Sequence, residues 1–230
     1  MDPLAWLLER SHTVPPADVP DVVAAALARV GIGASCMFLA DHDQMWLHPL
    51  DASRNDDESF PVDGTIGGRA FAFETRLSVP NGDGERTWVP LVNGTARVGV
   101  LSVDTPAALD DGTALIVERL AALAAELVVT RGRYTDVMEL VRRRKSMTLE
   151  AELQRITLPP IALATPHVIV AGALVPAYEV AGDSFDYGLN PGSLDVAMID
   201  SVGHDLESSL ISHLVSGSLR NSRRNGVDLR

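Results

Sequence analysis

Cysteine and long apolar runs are what this sequence lacks most clearly. Its 230 residues include one cysteine, Cys36, so the chain cannot form an internal disulfide, and the cytoplasm is the expected compartment. Cys36 stands in a strand-like run, which favours a buried, inert thiol. No apolar run reaches the about 18 residues of a membrane span, and the acidic, proline-interrupted N-terminus is unlike a signal peptide.

Basic residues are also scarce. Lysine and arginine number 19 against 31 aspartates and glutamates, which gives a net charge of −12. This excess of negative charge disfavours nucleic acid as a partner, because such binding needs basic surface to displace counterions. An anionic membrane surface would repel the chain as well. Hydrophobic residues make up 46% of the sequence, enough for a globular chain of one large or two small domains.

Helical and strand-like patterns alternate over the first 131 residues. Residues 1–14 predict a short amphipathic helix that prolines end. The runs "ASCMFLA" and "QMWLHPL" predict a hairpin around Asp41–Asp43, and Asn93-Gly94 predicts a second one between "TWVPLV" and "TARVGVLSVD". Between the hairpins "GTIGGRAFAFET" predicts a helix, and from Asp110 onward a 3.6-residue apolar period predicts a long one.

This order resembles a GAF domain over residues 15–131. The segment "GTIGGRAFAFET", followed by "TWVPLVNGTARVGVLSVD", carries the resemblance. It implies an antiparallel sheet with flanking helices that binds a small molecule, whose identity and binding residues stay unknown. No Gly-Lys-Ser/Thr follows Gly64, Gly67 and Gly68, so a phosphate loop is disfavoured. His42 and His48 have no companion pattern for a metal.

Residues 132–158 continue the helical pattern and predict a signalling and dimerisation helix. Gly132 interrupts the pattern, but the apolar spacing then resumes until Pro159-Pro160. The basic run Arg142–Lys145 is interpreted as a solvated face. A long helix with a narrow apolar stripe tends to pair with a second copy, so we expect a parallel homodimer through this linker.

Two strand-like segments near the C-terminus carry closely spaced carboxylates. "AGDSFDYGL" and "LDVAMID" alternate around the turn "NPGS", and a turn centred between Pro191 and Gly192 pairs residues whose numbers sum to 383. Asp183 then faces Asp200 at the end of an apolar strip. Asp186 lies on the other face and, like Asp195 beside the turn, is interpreted as exposed.

The facing aspartates allow two interpretations. Directly opposed residues have Cβ atoms about 4.5–5.5 Å apart, so two charges there repel unless a cation neutralises them. Oxygen ligands favour magnesium or manganese. Alternatively, the two carboxylates are simply solvated at the strand ends. A bulge in the turn would also shift the pairing and place them on opposite faces.

The segment "AGDSFDY" followed by "VAMIDSVGHD" resembles the stage II sporulation protein E branch of metal-dependent serine phosphatases, the PPM superfamily, over residues 149–230. The resemblance implies that Asp183, Asp200 and the backbone carbonyl of Ser201 bind metal. A complete domain would hold two Mn²⁺ or Mg²⁺ ions. The substrate would be a phosphoserine on a regulatory protein of the anti-sigma-factor antagonist type.

Four further residues around this motif have two interpretations each. His204 either assists proton transfer or makes a structural hydrogen bond at a helix terminus. Gly182 and Gly203 either let backbone approach the metals or serve plain turns. Asp205 stands where many relatives have glycine, and it either starts a helix or alters a metal site.

The last helical pattern has one apolar face that should cover a sheet: Leu206, Leu210, Ile211, Leu214, Val215 and Leu219. Only about three strands can be identified after Pro160, and half a sandwich leaves such a face uncovered. We therefore expect a truncated catalytic domain that is weakly active or inactive alone.

The predicted fold class is α+β: a GAF domain at 15–131, a helical linker at 132–158 and a partial PPM-type β-sandwich with a covering helix at 159–230. The predicted function is a GAF-regulated, metal-dependent protein serine/threonine phosphatase. The alternative is a dimeric small-molecule sensor with an inactive C-terminal part. A third hypothesis is a pseudophosphatase that serves as an interaction scaffold.

Overall fold

The computed structural model describes residues 2–50, 58–175, 177–179, 182–203 and 205–227. They divide between two units, residues 1–144 and 145–230. Among them, no helix is both long and apolar enough to cross a bilayer.

Five helices are described in the first unit, and local capping explains where several of them begin. Asp2 accepts the N–H of Ala5 at the start of the first helix, and Asp110 accepts the N–H groups of Gly112 and Thr113 at the start of the fourth. Both are N-caps that satisfy otherwise unpaired donors. The helices are α1 (Pro3–Ser11), α2 (Val19–Ala28), α3 (Ile66–Phe73), α4 (Asp111–Arg131) and α5 (Val137–Arg142).

The first unit is built on an antiparallel sheet in the order β3-β2-β1-β6-β5-β4. Both predicted hairpins are confirmed, since β1 pairs with β2 and β5 pairs with β6. Gly94 has a φ of 62° in the second turn, which suits glycine. The strands are β1 (Ala34–Ala40), β2 (Trp46–Pro49), β3 (Phe60–Pro61), β4 (Leu77–Asn81), β5 (Gly84–Asn93) and β6 (Ala96–Thr105).

The two faces of this sheet have separate cores. Because strand side chains alternate, Leu39 and Leu101 pack with α1, α2 and α4 on one face. Phe38 and Trp88 pack with Phe71 of α3 on the other. This second core borders the cavity described below.

The continuous linker helix predicted over residues 132–158 is wrong. Gly132 caps α4, a 3₁₀ turn follows, and α5 ends at Arg142 before the next helix begins at Leu149. Met138 of α5 is buried in the core of the first unit, so α5 is part of that unit. Arg142 is not simply solvated, because its Nε donates to the carbonyl of Ala40 at 2.9 Å.

The described part of the second unit contains two two-stranded antiparallel sheets, β7-β8 and β9-β10. Its elements are α6 (Leu149–Thr157), β7 (Ala162–Ala164), β8 (Ile169–Ala171), β9 (Ser184–Asn190), β10 (Ser193–Ile199) and α7 (Leu206–Arg224). The partial PPM-type sandwich stays a prediction.

Helix α7 buries the face opposite to the predicted one. Its buried residues are Ser208, Ser209, Ser212 and Ser216. Leu210 and Leu214 are 47% and 71% exposed, so the apolar face does not cover a described sheet. Small serine side chains allow the helix backbone to approach β9 and β10 closely. Ser208 donates to the carbonyl of Asp205, and Ser212 donates to the carbonyl of Gly182.

Asp186 is not exposed, contrary to the prediction. It lies on the face of β9 that α7 covers, where its side chain has no exposed surface. Arg220 donates to its Oδ1 through Nε and Nη2 at 2.9 and 2.7 Å, and Arg223 donates to its Oδ2 at 2.7 Å. The two arginines explain how a carboxylate is tolerated inside the unit.

Candidate functional site

A cavity of about 270 Å³ lies on the α3 face of the first sheet. The start of α3 forms one wall, through Thr65 and Gly67, and the aromatic rings of Phe60 and Trp88 form another. Asn81 from the edge strand β4 and Arg86 from the neighbouring strand β5 supply polar groups. The cavity therefore combines aromatic surface with a few polar groups, as small-molecule sites commonly do.

Hydrogen bonds of Thr65 and close packing at Gly67 position the α3 wall of the cavity. The Thr65 hydroxyl donates to the carbonyl of Pro61 at 2.7 Å and accepts the N–H of Gly68 at 3.0 Å. A Cβ on Gly67 would lie 2.7 Å from the Phe60 ring. Glycine is therefore needed for close packing of α3, and this packing role accounts for a glycine-rich stretch without a phosphate loop.

Arg86 and Asp104 form an ion pair beside the cavity. Nε and Nη2 of Arg86 each donate to a carboxylate oxygen of Asp104 at 2.7 Å, and Asn81 donates to Asp104 at 3.1 Å. The hydrogen bonds to Asp104 raise the pKa of the Arg86 guanidinium. The Arg86 Cζ lies 5.9 Å from the centre of the Trp88 ring. The polar end of the cavity is thus a charge-balanced pair.

The sequence does not predict this ion pair, because a β-bulge shifts the register. Near the Asn93-Gly94 turn the paired residues have numbers that sum to 189, whereas beyond the irregularity at Leu91/Val92 they sum to 190. The turn alone would pair Arg86 with Val103. The bulge moves the register by one residue and brings Arg86 opposite Asp104.

Cys36, His42 and His48 contact other residues of the first unit. Cys36 is buried, as predicted, in the aromatic core. His48 Nδ1 lies 2.7 Å from the Ser59 hydroxyl, and His42 Nε2 lies 2.6 Å from Glu139 Oε1. Within the described ranges, no three His, Cys, Asp or Glu side chains are grouped to hold a metal ion.

The predicted register of the C-terminal hairpin is confirmed. Strands β9 and β10 pair from Ser193↔Asn190 to Ile199↔Ser184, and every pair sums to 383. Asp183 directly precedes β9 and Asp200 directly follows β10, and both are exposed. Continuing the register by one step places the two carboxylates at the same end of the hairpin and on one face.

Backbone carbonyls next to Asp183 are held by polar side chains from α6 and α7. Gln154 donates through Nε2 to the carbonyl of Asp183 itself. The carbonyl of Gly182 accepts from Ser212 and lies 2.8 Å from the Ser201 hydroxyl. Gln154 is 1% exposed. The sequence pattern does not predict roles for Gln154 and Ser212, because polar residues inside helical patterns give no periodic signal.

The structure describes three of the four further residues around this motif: Gly182, Gly203 and Asp205. A Cβ on Gly182 would lie 2.3 Å from Ser201 Oγ, so glycine is needed for close approach to Ser201. Gly203 has a φ of 107°, which favours glycine. Asp205 caps α7 in a capping box with Ser208, in agreement with the interpretation as a helix start. His204 lies outside the described residues.

The chain is similar in structure to solved GAF domains. One is from an Acinetobacter phosphoenolpyruvate-protein phosphotransferase, with a TM-score of 0.51, 13% identity, and coverage of 58% of this chain and 95% of that chain. Another is from a phosphoenolpyruvate-protein phosphotransferase of Coxiella burnetii, with a TM-score of 0.50, 12% identity, and coverage of 57% and 93%. No protein-family model and no curated protein matches the sequence.

These similarities concern the fold. The antiparallel sheet with helices on both faces lies in the first unit, which therefore has the GAF fold, as predicted. The phosphatase resemblance of the second unit stays a prediction.

Proposed function

We propose that the first unit is a small-molecule sensor whose ligand binds in the cavity between α3, β4 and β5. The observation that carries this proposal is the cavity itself, with Phe60 and Trp88 on one side and Asn81 and Arg86 on another. Aromatic walls offer stacking surface, and the polar groups orient a bound molecule. The GAF fold of the unit supports a sensor function.

The volume of the cavity limits the size of the ligand. A volume of about 270 Å³ lies just below the range of about 300–1,000 Å³ usual for small-molecule sites. The ion pair of Arg86 with Asp104 is charge-balanced, so it offers donors and acceptors without a net charge. The cavity therefore suits a small planar molecule with both donor and acceptor groups.

Filling the cavity tests this proposal. We would purify the 230-residue chain, its Val79→Trp variant and its Val79→Ile variant, and measure co-purified small molecules by native mass spectrometry. Val79 lines the cavity, so tryptophan should block it, whereas isoleucine adds one methylene and serves as the matched control. We expect a bound molecule in the wild type and in Val79→Ile, and none in Val79→Trp.

Two results would contradict the sensor proposal. One is equal binding by the Val79→Trp variant, which would place the ligand elsewhere. The other is no bound molecule in any of the three proteins, together with no thermal stabilisation of the wild type by a library of small metabolites.

We also propose, as a second function, that the second unit is part of a metal-dependent protein serine/threonine phosphatase. The hairpin register favours this proposal, because its last pair, Ile199↔Ser184, leaves Asp183 and Asp200 adjacent to the same end of the strands. In this proposal the substrate is a phosphoserine of an anti-sigma-factor antagonist, and the protein acts as a homodimer. The apolar helix faces needed for a dimer would come from outside the predicted linker, which is not continuous.

Carboxylate oxygens at Asp183 and Asp200 are ligands of the kind that Mn²⁺ and Mg²⁺ prefer. Both side chains are exposed, and the carbonyl of Ser201 is next to Asp200 in the chain. Bound ions of this type lower the pKa of a water and neutralise phosphoryl oxygens. Asp183 and Asp200 would supply two carboxylate ligands to such a centre.

Calorimetric titration with Mn²⁺ tests the second proposal. We expect binding to the wild-type chain and its loss in the double variant Asp183→Ala, Asp200→Ala. The control is Asp195→Ala, which removes a carboxylate at the opposite end of the same hairpin and should leave binding unchanged. No Mn²⁺ binding to the wild type, or equal loss in the control, would contradict the proposal.

A further inference from the structure

Arg97 of β6 joins two segments that are far apart in the sequence. Its Nη1 donates to the carbonyl of Ala72 at 3.0 Å, and its Nη2 donates to Oε1 of Gln44 at 3.1 Å. Its Cζ lies 5.2 Å from the centre of the Phe71 ring. A single guanidinium therefore binds the last turn of α3 and the β1–β2 turn together. The planar, pre-organised donors of arginine suit such a bridge.

Helix α3 connects this bridge to the cavity. Thr65 and Gly67 at its start line the cavity, and Ala72 near its end binds Arg97. Eight helical residues form a rod about 12 Å long. Because the helix is short and hydrogen-bonded throughout, a displacement at its first turn also moves its last turn.

The β1–β2 turn is a tightly bonded unit. Gln44 has a φ of 55° and donates its N–H to the carbonyl of Asp41. The carboxylate of Asp41, itself buried, accepts the N–H groups of Met45 and Trp46 at 2.8 and 3.1 Å. These bonds tie Gln44 to Asp41, which precedes His42 in the chain.

His42 and Ala40 in turn bind α5. His42 has no exposed side-chain surface, and its Nε2 lies 2.6 Å from Oε1 of Glu139. Arg142 donates to the carbonyl of Ala40 at 2.9 Å, and Met138 packs into the core. Helix α5 is thus attached to the first unit at the same turn that Arg97 holds, close to the division between the two units after residue 144.

We infer that Arg97 couples occupancy of the cavity to the docking of α5. This inference rests on the proposed sensor function, because it gives the sensor a route to its C-terminal end. The route runs from the α3 wall through Ala72, Arg97 and Gln44 to the His42–Glu139 contact. Coupling of this kind requires an element with two arrangements that both sites bias. The inference assigns that role to α5, which is docked in the structure and would be released in the second arrangement.

The Gln44→Asn variant tests the coupling in the full-length chain without any ligand. Asparagine tolerates positive φ but is one methylene too short to reach Arg97. We would measure amide hydrogen exchange of residues 137–142 by mass spectrometry. We expect exchange in α5 to be about fivefold or more faster than in the wild type, with exchange in α1 and α2 unchanged. The control, Arg76→Gln, removes the exposed Arg76–Glu118 pair and should change nothing in α5.

A double variant distinguishes coupling from local loosening. Glu139→Ala should release α5 directly, and Gln44→Asn added to it should have no further effect on α5, because the route is already cut. By reciprocity, Glu139→Ala should also raise exchange in the last turn of α3. Arg97→Gln should reproduce both effects.

Unchanged α5 exchange in Gln44→Asn would overturn the inference, as would independent, multiplying effects of Gln44→Asn and Glu139→Ala. These outcomes can be distinguished from failure of the sensor proposal. The exchange measurements need no ligand, whereas the sensor proposal is tested by the cavity-filling experiment.

Discussion

Asp186 is the residue on which the interior of the second unit depends most. Its carboxylate has no exposed surface and accepts three hydrogen bonds from Arg220 and Arg223. Removing one partner of a buried ionic group leaves the other charges uncompensated, at a cost of about 3 kcal/mol. We expect Asp186→Ala to lower the free energy of unfolding of the second unit by that amount, measured by urea denaturation followed by circular dichroism.

The control for this prediction is Asp195→Ala. Asp195 lies on the same hairpin, beside the turn, and accepts one exposed hydrogen bond from Asn190. A surface substitution of this kind changes stability by about 0.5 kcal/mol or less. Equal destabilisation by the two variants would show that the ion pairs of Asp186 with Arg220 and Arg223 contribute nothing specific.

Asp110 makes the start of α4 sensitive to acid. Its carboxylate accepts from the hydroxyl and N–H of Thr113 and from the N–H of Gly112. The Thr113 bonds, the hydroxyl first, lower the pKa of Asp110 below its ordinary value of 3.8. Since the folded-state pKa is lower than the unfolded one, the stabilisation is complete above the unfolded pKa and is lost as pH falls through the folded pKa.

Asp110→Asn isolates this contribution. Asparagine is about as good an N-cap as aspartate but does not titrate. We expect the two proteins to have similar melting temperatures at neutral pH and the wild type to lose more stability on acidification below 3.8. Other carboxylates contribute equally to both curves, so parallel acid melting curves would contradict the assigned role of Asp110.

At the scale of elements, α3 shows how closely a helix can approach a strand. A Cβ on Gly68 would lie 1.8 Å from the backbone carbonyl oxygen of Val62. Backbone cannot move aside as a side-chain tip can, so Gly68→Ala should destabilise the first unit by about 1–3 kcal/mol. We would measure this by urea denaturation followed by tryptophan fluorescence.

Gly217 in α7 is the matched comparison for Gly68. Outside the adjacent helix backbone, no atom of the described residues lies within 4 Å of a Cβ built there, and an alanine in a helix interior is favoured over glycine by about 0.5–1 kcal/mol. Gly217→Ala should therefore stabilise its unit. Stabilisation by both alanines would mean that α3 is packed less tightly than its contacts indicate.

Sequence patterns predicted the hairpins better than the orientation of helices. Alternation and turn residues define both partners of a hairpin, so the C-terminal register was correct to the last pair. Strand β4 was missed because Pro80 and polar residues interrupt its pattern, and an edge strand tolerates both. The break between α5 and α6 was missed because the apolar spacing that ends at Val141 resumes at Leu149, and the polar residues between them were interpreted as a solvated helix face.

Helix α7 was predicted with the wrong face inward because periodicity identifies an apolar face but not its partner. In the structure the position of α7 follows polar requirements instead. Arg220 and Arg223 must reach Asp186, and Ser212 must reach the carbonyl of Gly182. Buried polar groups need partners, and no apolar period reports that need. The roles of Gln154 and Ser212 were not predicted for the same reason.

At the scale of the whole molecule, the two units differ in what they bury. Of the twelve largest fully buried side chains among the described residues, Gln154 alone belongs to the second unit. The others, such as Phe71, Leu39 and Leu101, belong to the first. Each buried side chain of this size contributes about 1.5–3 kcal/mol through removal from water. The first unit should therefore be considerably more stable than the second.

This difference predicts two unfolding transitions. All three tryptophans, Trp6, Trp46 and Trp88, lie in the first unit, so tryptophan fluorescence reports that unit alone, whereas far-ultraviolet circular dichroism reports both. We expect the circular dichroism signal to begin falling at a lower urea concentration than the fluorescence signal. Coincident curves indicate a single cooperative transition and would contradict the prediction. Asp186→Ala supplies the internal check, because it should shift the early part of the circular dichroism curve to lower urea and leave the fluorescence midpoint unchanged.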